Sequence, residues 1–283
     1  MPTLQNLKKK LRGIRTTQKV SKAMKTASTV KYSRISSIYM GYAVYEEQCS
    51  RLYSMYESNF KRQFVTENSD ANECLIVIAS NKGMCGGFNS DILSFAENII
   101  NSADRPYSIF LCGRQAKIYF DDKKIKYAKS FVFSDIPEYG EVKDLFDCIY
   151  RSMKSGEISD VKIVYPEFVN MLNQQPVLCG LFPDNDRKET ENNDFLFIPD
   201  HCSVTENTVH KIISSLIYKK VLETALGAQA ATLMTMRSAY DTATDYCAEI
   251  EGEINRKRQS QVTSDIIETS AEHSQNGEEN ANV

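Results

Sequence analysis

The residues with the strongest claim to chemistry are Asn81-Lys82-Gly83-Met84-Cys85-Gly86-Gly87-Phe88-Asn89, which follow the apolar run Cys74-Leu75-Ile76-Val77-Ile78-Ala79. A glycine-rich turn from strand to helix can aim backbone amides at a phosphate. The spacing argues otherwise. A phosphate-binding loop needs GxxxxGK[ST] and a dinucleotide turn needs GxGxxG, whereas Phe88-Asn89 stand where Lys-Ser is required. Gly83, Gly86 and Gly87 are therefore read as structural glycines of a tight turn, with no cofactor bound.

Nor do the other reactive side chains converge. The eight cysteines (Cys49, Cys74, Cys85, Cys112, Cys148, Cys179, Cys202 and Cys247) form no CxxC pair, and the three histidines, His201, His210 and His273, form no cluster with them. Buried free thiols are expected, with no metal site. There is no HExxH motif and no histidine in the first 200 residues, so no catalytic residue is assigned.

Charge is the more informative signal. The net charge of −3 hides an asymmetry: Met1 to Tyr45 holds ten Lys and Arg and no Asp or Glu, while no Lys or Arg follows Arg258. Such a basic segment can attract nucleic acid or an anionic membrane surface. It also interleaves Ser21, Ala23, Met24, Ala27 and Ser28, small or slender side chains that let another helix or an acidic protein wall approach closely.

Two long helices must position these groups. Apart from Pro2, every proline lies between Pro106 and Pro199, which leaves both ends free to be helical. Residues 1–60 carry helical spacing at Leu4, Leu7, Leu11 and Ile14, then, after a polar gap, at Ile35, Ile38, Tyr42, Tyr45 and Cys49. Residues 206–268 step by threes and fours through Leu226, Gln229, Leu233, Met236, Tyr240, Ala243, Cys247, Ile250 and Ile254, the pattern of a coiled-coil seam. Within that seam Leu233 and Ile254 are expected to be buried. Gly227 and Gly252 should each weaken this helix by about 1 kcal/mol.

Between them, residues 72–200 alternate strand and helix patterns. Runs at Cys74–Ala79, Tyr107–Cys112 and Val161–Tyr165 are read as strands, with helices at Asp91–Ile100 and Glu141–Met153. Leu178–Phe182 and Phe195–Ile198 are expected to add strands around a polar loop. The fold class is thus α/β, a parallel-rich, Rossmann-like central domain with a long antiparallel coiled coil of the terminal helices. Residues 271–283 read as a disordered polar tail.

Three stretches resemble the gamma subunit of the F-type ATP synthase: Arg12 to Lys25 with its TQK and KAM cores, the Asn81–Asn89 loop, and Asn255-Arg256-Lys257-Arg258-Gln259-Ser260-Gln261-Val262-Thr263. Val164-Tyr165 with Phe168, Asn170, Pro176 and Pro183 adds a weaker match. The resemblance implies a non-catalytic rotor shaft standing in a ring of three alpha and three beta subunits. It implies further partners in the epsilon subunit and the membrane-embedded c-ring, and no nucleic acid. The location implied is peripheral, on the cytoplasmic face of the bacterial plasma membrane. Contacts with the beta subunit fall on Met24, Lys25, Arg258 and Gln259. One departure stands out: the family commonly has Ser-Glu followed three residues later by Arg-Met, and the aligned positions here are Gly227, Ala228, Thr232 and Leu233.

Overall fold

The computed structural model describes residues 3–64, 72–103, 105–181 and 201–279. It divides into a helical unit, Met1–Lys25 with Met236–Val283, and a sheet unit, Thr26–Thr235. Helix α1 (Leu4–Phe64) and helix α5 (His201–Glu279) contribute to both.

In the sheet unit, β1 (Asn72–Ile78) lies between β2 (Ser108–Cys112) and β4 (Ile158–Phe168), parallel to each. β3 (Lys129–Phe131) adds in parallel outside β2, and β5 (Gln174–Gly180) pairs antiparallel with β4. The order β3-β2-β1-β4-β5 follows a dinucleotide-binding sheet over its first five places, with the last strand reversed. Helices α2 (Phe88–Asn101), α3 (Arg114–Lys123) and α4 (Lys143–Lys154) pack on its faces.

β1 is apolar throughout because both its faces are covered. Ile76 and Ile78 enter one core with Phe110, Ile149 and Ile163, closed by Ile213 and Ile217 of α5 and by Cys49 and Tyr53 of α1. Leu75 and Val77 enter the other with Ile92 and Phe120 of the crossing helices and Ala228 of α5.

The structure corrects several boundaries. Helix α3 and strand β3 were not expected; both are short, and β3 has only three residues. The strand expected at Leu178–Phe182 runs instead from Gln174 to Gly180. As an outer strand with three of its seven residues exposed and none buried, it shows only a short apolar run. Pro166 and Pro176 face each other across β4 and β5, yet β1 pairs with β4 only as far as Val164, so Pro166 needs no amide toward β1. The strand expected at Phe195–Ile198, its preceding polar loop and Pro183 lie outside the described residues.

Both helices exceed their expected bounds. α1 continues to Phe64, and α5 starts at His201 and runs to Glu279, through most of the stretch read as a disordered tail. No proline interrupts Ala271-Glu272-His273-Ser274-Gln275-Asn276, and Ala, Glu and Gln are good helix formers. No described helix is long and apolar enough to cross a membrane.

Candidate functional site

The helical unit is an antiparallel pair. Leu7 and Leu11 of α1 pack with Cys247 and Ile250 of α5, and Ile14 and Ile254 close the ends of this cluster. Further along, Arg15 meets Glu251 at 2.7 Å, the Gln18 amide donates to the Thr244 hydroxyl at 2.8 Å, and the Lys25 ammonium stands 5.6 Å from the Tyr240 ring centre. As α1 ascends in number, α5 descends. The Arg15–Glu251 partners are about half exposed, so the pair contributes at most about 0.2–1 kcal/mol and serves mainly to fix register.

Where the sequence showed a polar gap, the seam is continuous. Leu7, Ile14, Ser21, Ser28, Ile35, Tyr42 and Cys49 recur every seven residues along α1, and all are buried or half-buried. Ser21 and Ser28 are only 4% and 5% exposed. Small hydroxyl side chains thus occupy core positions that a search for apolar residues passes over. On α5, Leu226, Met236 and Ile250 are buried, and Tyr240 is half-buried. Leu226 and Leu233 belong to the sheet unit rather than to the helical pair.

Leu233 and Ile254 are half-buried, not buried as expected. Two helices cover only one side of each other, so flanking seam positions keep part of their surface open.

The sequence-derived contact residues occupy two levels of this unit. Met24 and Lys25 are half-buried at the level of Tyr240. Arg258 and Gln259 are exposed and lie eighteen residues beyond Tyr240 on α5, about 27 Å at 1.5 Å per residue. They are not brought together. From Arg258 to Ser270 every residue of α5 is exposed, including Val262, Ile266 and Ile267.

The glycine loop belongs to the sheet unit and packs against α5. Met84 and Gly86 both adopt left-handed backbone, φ 64° and 62°, and a side chain at Gly86 would meet the Thr235 hydroxyl of α5 at 3.1 Å. Gly87 caps α2, and Gly83 faces open space. Buried Asn89 ties the turn together: its side-chain oxygen accepts from the Ser80 amide at 3.0 Å, and its amide donates to the Lys82 carbonyl at 3.3 Å. Phe88 presses on α5 at Gly227, where an added Cβ would lie 3.0 Å from the ring. The Gly227-Ala228 departure therefore serves contact with this loop.

A crevice opens at the carboxyl ends of β1 and β2, where doubly wound sheets bind nucleotides; Ser80, Asn81, Lys82, Gly113 and Asp135 line it with Thr224 of α5. Two amides at the start of α3 already have partners within the protein. Arg114 donates its amide to the Asn81 side chain and Gln115 donates to the Ser80 carbonyl, each at 3.1 Å. The Asp135 carboxylate adds repulsion. Burial would raise its pKa, but hydrogen bonds from Lys31 and Lys82 prevail and hold it below the ordinary aspartate value.

Among the described residues, seven cysteines are unpaired, and no group of three His, Cys, Asp or Glu is placed to hold a metal. The Cys202 side chain lies outside the described ones. Burial pushes the thiols of Cys74 and Cys112 well above their ordinary range, which leaves them unreactive.

The chain thus pairs a doubly wound sheet unit with an antiparallel helical unit, and α1 and α5 run through both. A family model described as ATP synthase matches residues 3–271, and the chain belongs to that family. It is 26% identical over 275 residues to the ATP synthase gamma chain of Pelotomaculum thermopropionicum, covering 95% of this chain and 97% of that one. It is likewise 26% identical over 274 residues to the gamma chain of Mycoplasma mycoides, with the same coverage. Among solved structures, the Euglena gracilis mitochondrial ATP synthase (OSCP/F1/c-ring) contains a chain matching with TM-score 0.64 at 14% identity, covering 96% of this chain and 93% of that one. The central stalk of the Tetrahymena thermophila mitochondrial enzyme matches at TM-score 0.62 and 16% identity, covering 78% and 99%. These last likenesses concern the fold. The alternative of a basic nucleic-acid or membrane-surface module finds no support in them.

Proposed function

We propose that this chain is the central rotor shaft of an F-type ATP synthase, coupling ion flow through a c-ring to ATP synthesis and hydrolysis in the beta subunits. The observation that carries the reading is the antiparallel seam of α1 and α5 in a chain belonging to the ATP synthase family. One asymmetric helical pair inside a three-fold ring presents a different face to each beta subunit. Each site is thereby biased toward a different conformation, and rotation moves the bias round the ring.

The chain itself is non-catalytic in this reading, and its partners are the alpha, beta and epsilon subunits and the c-ring. It sits as a peripheral protein on the cytoplasmic face of a bacterial plasma membrane. Met24 and Lys25 at one level, and Arg258 and Gln259 at the other, contact the beta subunits. Exposed Arg258 suits that task because its planar guanidinium stays charged and binds a carboxylate through two parallel hydrogen bonds.

Reconstitution with alpha and beta subunits tests this directly. A probe fixed to the sheet unit should rotate when ATP is supplied, and the pure chain should hydrolyse none. Hydrolysis by the chain alone, or a stationary probe on an active complex, would refute the reading.

A further inference from the structure

The sheet unit holds both long helices by apolar packing and by polar ties at particular points. α5 lays Ile213, Ile217, Val221 and Leu222 into the core beneath β1, an extensive apolar attachment. α1 joins that core through Cys49 and Tyr53. Nearer its amino terminus, where Tyr32 stands against Phe168 of β4, an ionic tie is added. The Lys31 ammonium donates to Asp135 Oδ2 at 2.5 Å, and Lys82 of the glycine loop donates to the same oxygen at 2.5 Å.

Asp135 is well placed to anchor both. It is 21% exposed, and the loop that carries it is fixed on either side: Phe133 is buried and its carbonyl accepts from the Asn81 amide, while the Ser134 amide donates to Glu141 at 2.7 Å. Apolar burial is non-directional and tolerates sliding between surfaces. A charge-assisted hydrogen bond has a preferred length and direction, and so resists displacement along the interface.

We propose that Asp135 is a positioning residue for rotary coupling, pinning α1 through Lys31 and the glycine loop through Lys82 so that sheet and helix turn together. The proposal rests on the rotor reading above. It assigns a role to a carboxylate that joins α1, the glycine loop and the segment after β3 at a single oxygen.

The test uses the whole ATP synthase in membrane vesicles carrying Asp135→Asn, Lys31→Gln, or the exchanged set Lys31→Glu with Asp135→Lys and Lys82→Gln. Two quantities are read: the ratio of gradient-driven ATP synthesis to ATP hydrolysis, and the angular spread of a probe on the sheet unit during a catalytic pause. Either single change should lower the ratio several-fold and widen the spread. The exchanged set should restore most of both, which a merely structural aspartate would not allow. Wild-type values for Asp135→Asn, or an exchanged set no better than the single changes, would overturn the pin. Should Asp135→Asn fail to assemble, the exchanged set decides: a restored ratio supports the pin, and a complex uncoupled or unassembled overturns it. A wild-type complex with no gradient-driven synthesis would refute the rotor reading instead.

Discussion

Gly227 and Gly252 sit in the interior of the same helix, and replacing each by alanine should have opposite consequences. Glycine in a helix interior costs about 1 kcal/mol relative to alanine, so alanine recovers that amount wherever its methyl group fits. At Gly252 nothing lies within 4 Å of the added Cβ, and the full gain of about 1 kcal/mol is expected. At Gly227 the Cβ would lie 3.0 Å from Phe88 Cε2, 3.5 Å from Cζ and 3.4 Å from Gln174 Cγ. Phe88 is itself buried at 7% exposure among Ile92 and Leu93, so its ring has little room to retreat. Overpacking of this kind costs about 1–3 kcal/mol, which cancels or exceeds the gain and leaves a net loss of about 0–2 kcal/mol. Native-state hydrogen exchange, read by mass spectrometry on peptides around each position, separates the two sites. Protection should rise at 252 and stay level or fall at 227, a divergence between about fivefold and a hundredfold. Adding Phe88→Leu to Gly227→Ala should recover part of the loss. An equal gain at both positions would refute the close packing of the glycine loop on α5.

Further outcomes follow from burial and charge. Ile250→Asp places a carboxylate between Leu7, Leu11 and Cys247 at a position 2% exposed, at a cost of several kcal/mol, and gel filtration should show a lost or labile complex; wild-type recovery would discredit the seam. Arg258→Ala with Gln259→Ala touches only exposed side chains, so assembly should persist while coupled synthesis in vesicles falls several-fold, whereas removing Ala271 to Val283 should leave synthesis close to wild type. Glu223 is 5% exposed, and burial raises its pKa above the ordinary value of 4.5 despite the hydrogen bond it accepts from the Phe168 amide. A raised carboxyl pKa means that stability is fully present below 4.5 and is lost as pH rises through the higher folded value. Glu223→Gln keeps the acceptor oxygen, so urea unfolding should show it more stable than wild type at neutral pH, with the difference vanishing in acid.

The sequence was most readable where one physical requirement dominated. The buried strand at Cys74–Ala79 announced itself because both faces need apolar residues, and the α5 heptads because a long seam needs them repeatedly. α1 was half-readable: its ends showed helical spacing, but Ser21 and Ser28 fill the seam with side chains that look like surface residues. β5 escaped its proper register because an outer strand needs little apolar surface. The Lys31–Asp135–Lys82 cluster could not be found from spacing at all, since its members lie in three distant segments that only the folded sheet unit brings together. Gly227 carried a readable signal, a glycine where helix propensity disfavours one, but it indicated crowding without naming Phe88 as the neighbour.

The fading of the seam after Lys257 sets where this chain can change length. A one-residue insertion in an α-helix turns everything beyond it by about 100°, so an insertion between Leu226 and Lys257 would swing later seam residues out of contact with α1. Beyond Lys257 every residue to Ser270 is exposed within the chain, and the same insertion would cost no helix-to-helix contact. Beyond Gln259 the end of α5 can therefore change length at single-residue steps without disturbing the helical pair, while the paired region tolerates only whole-heptad changes matched on both helices.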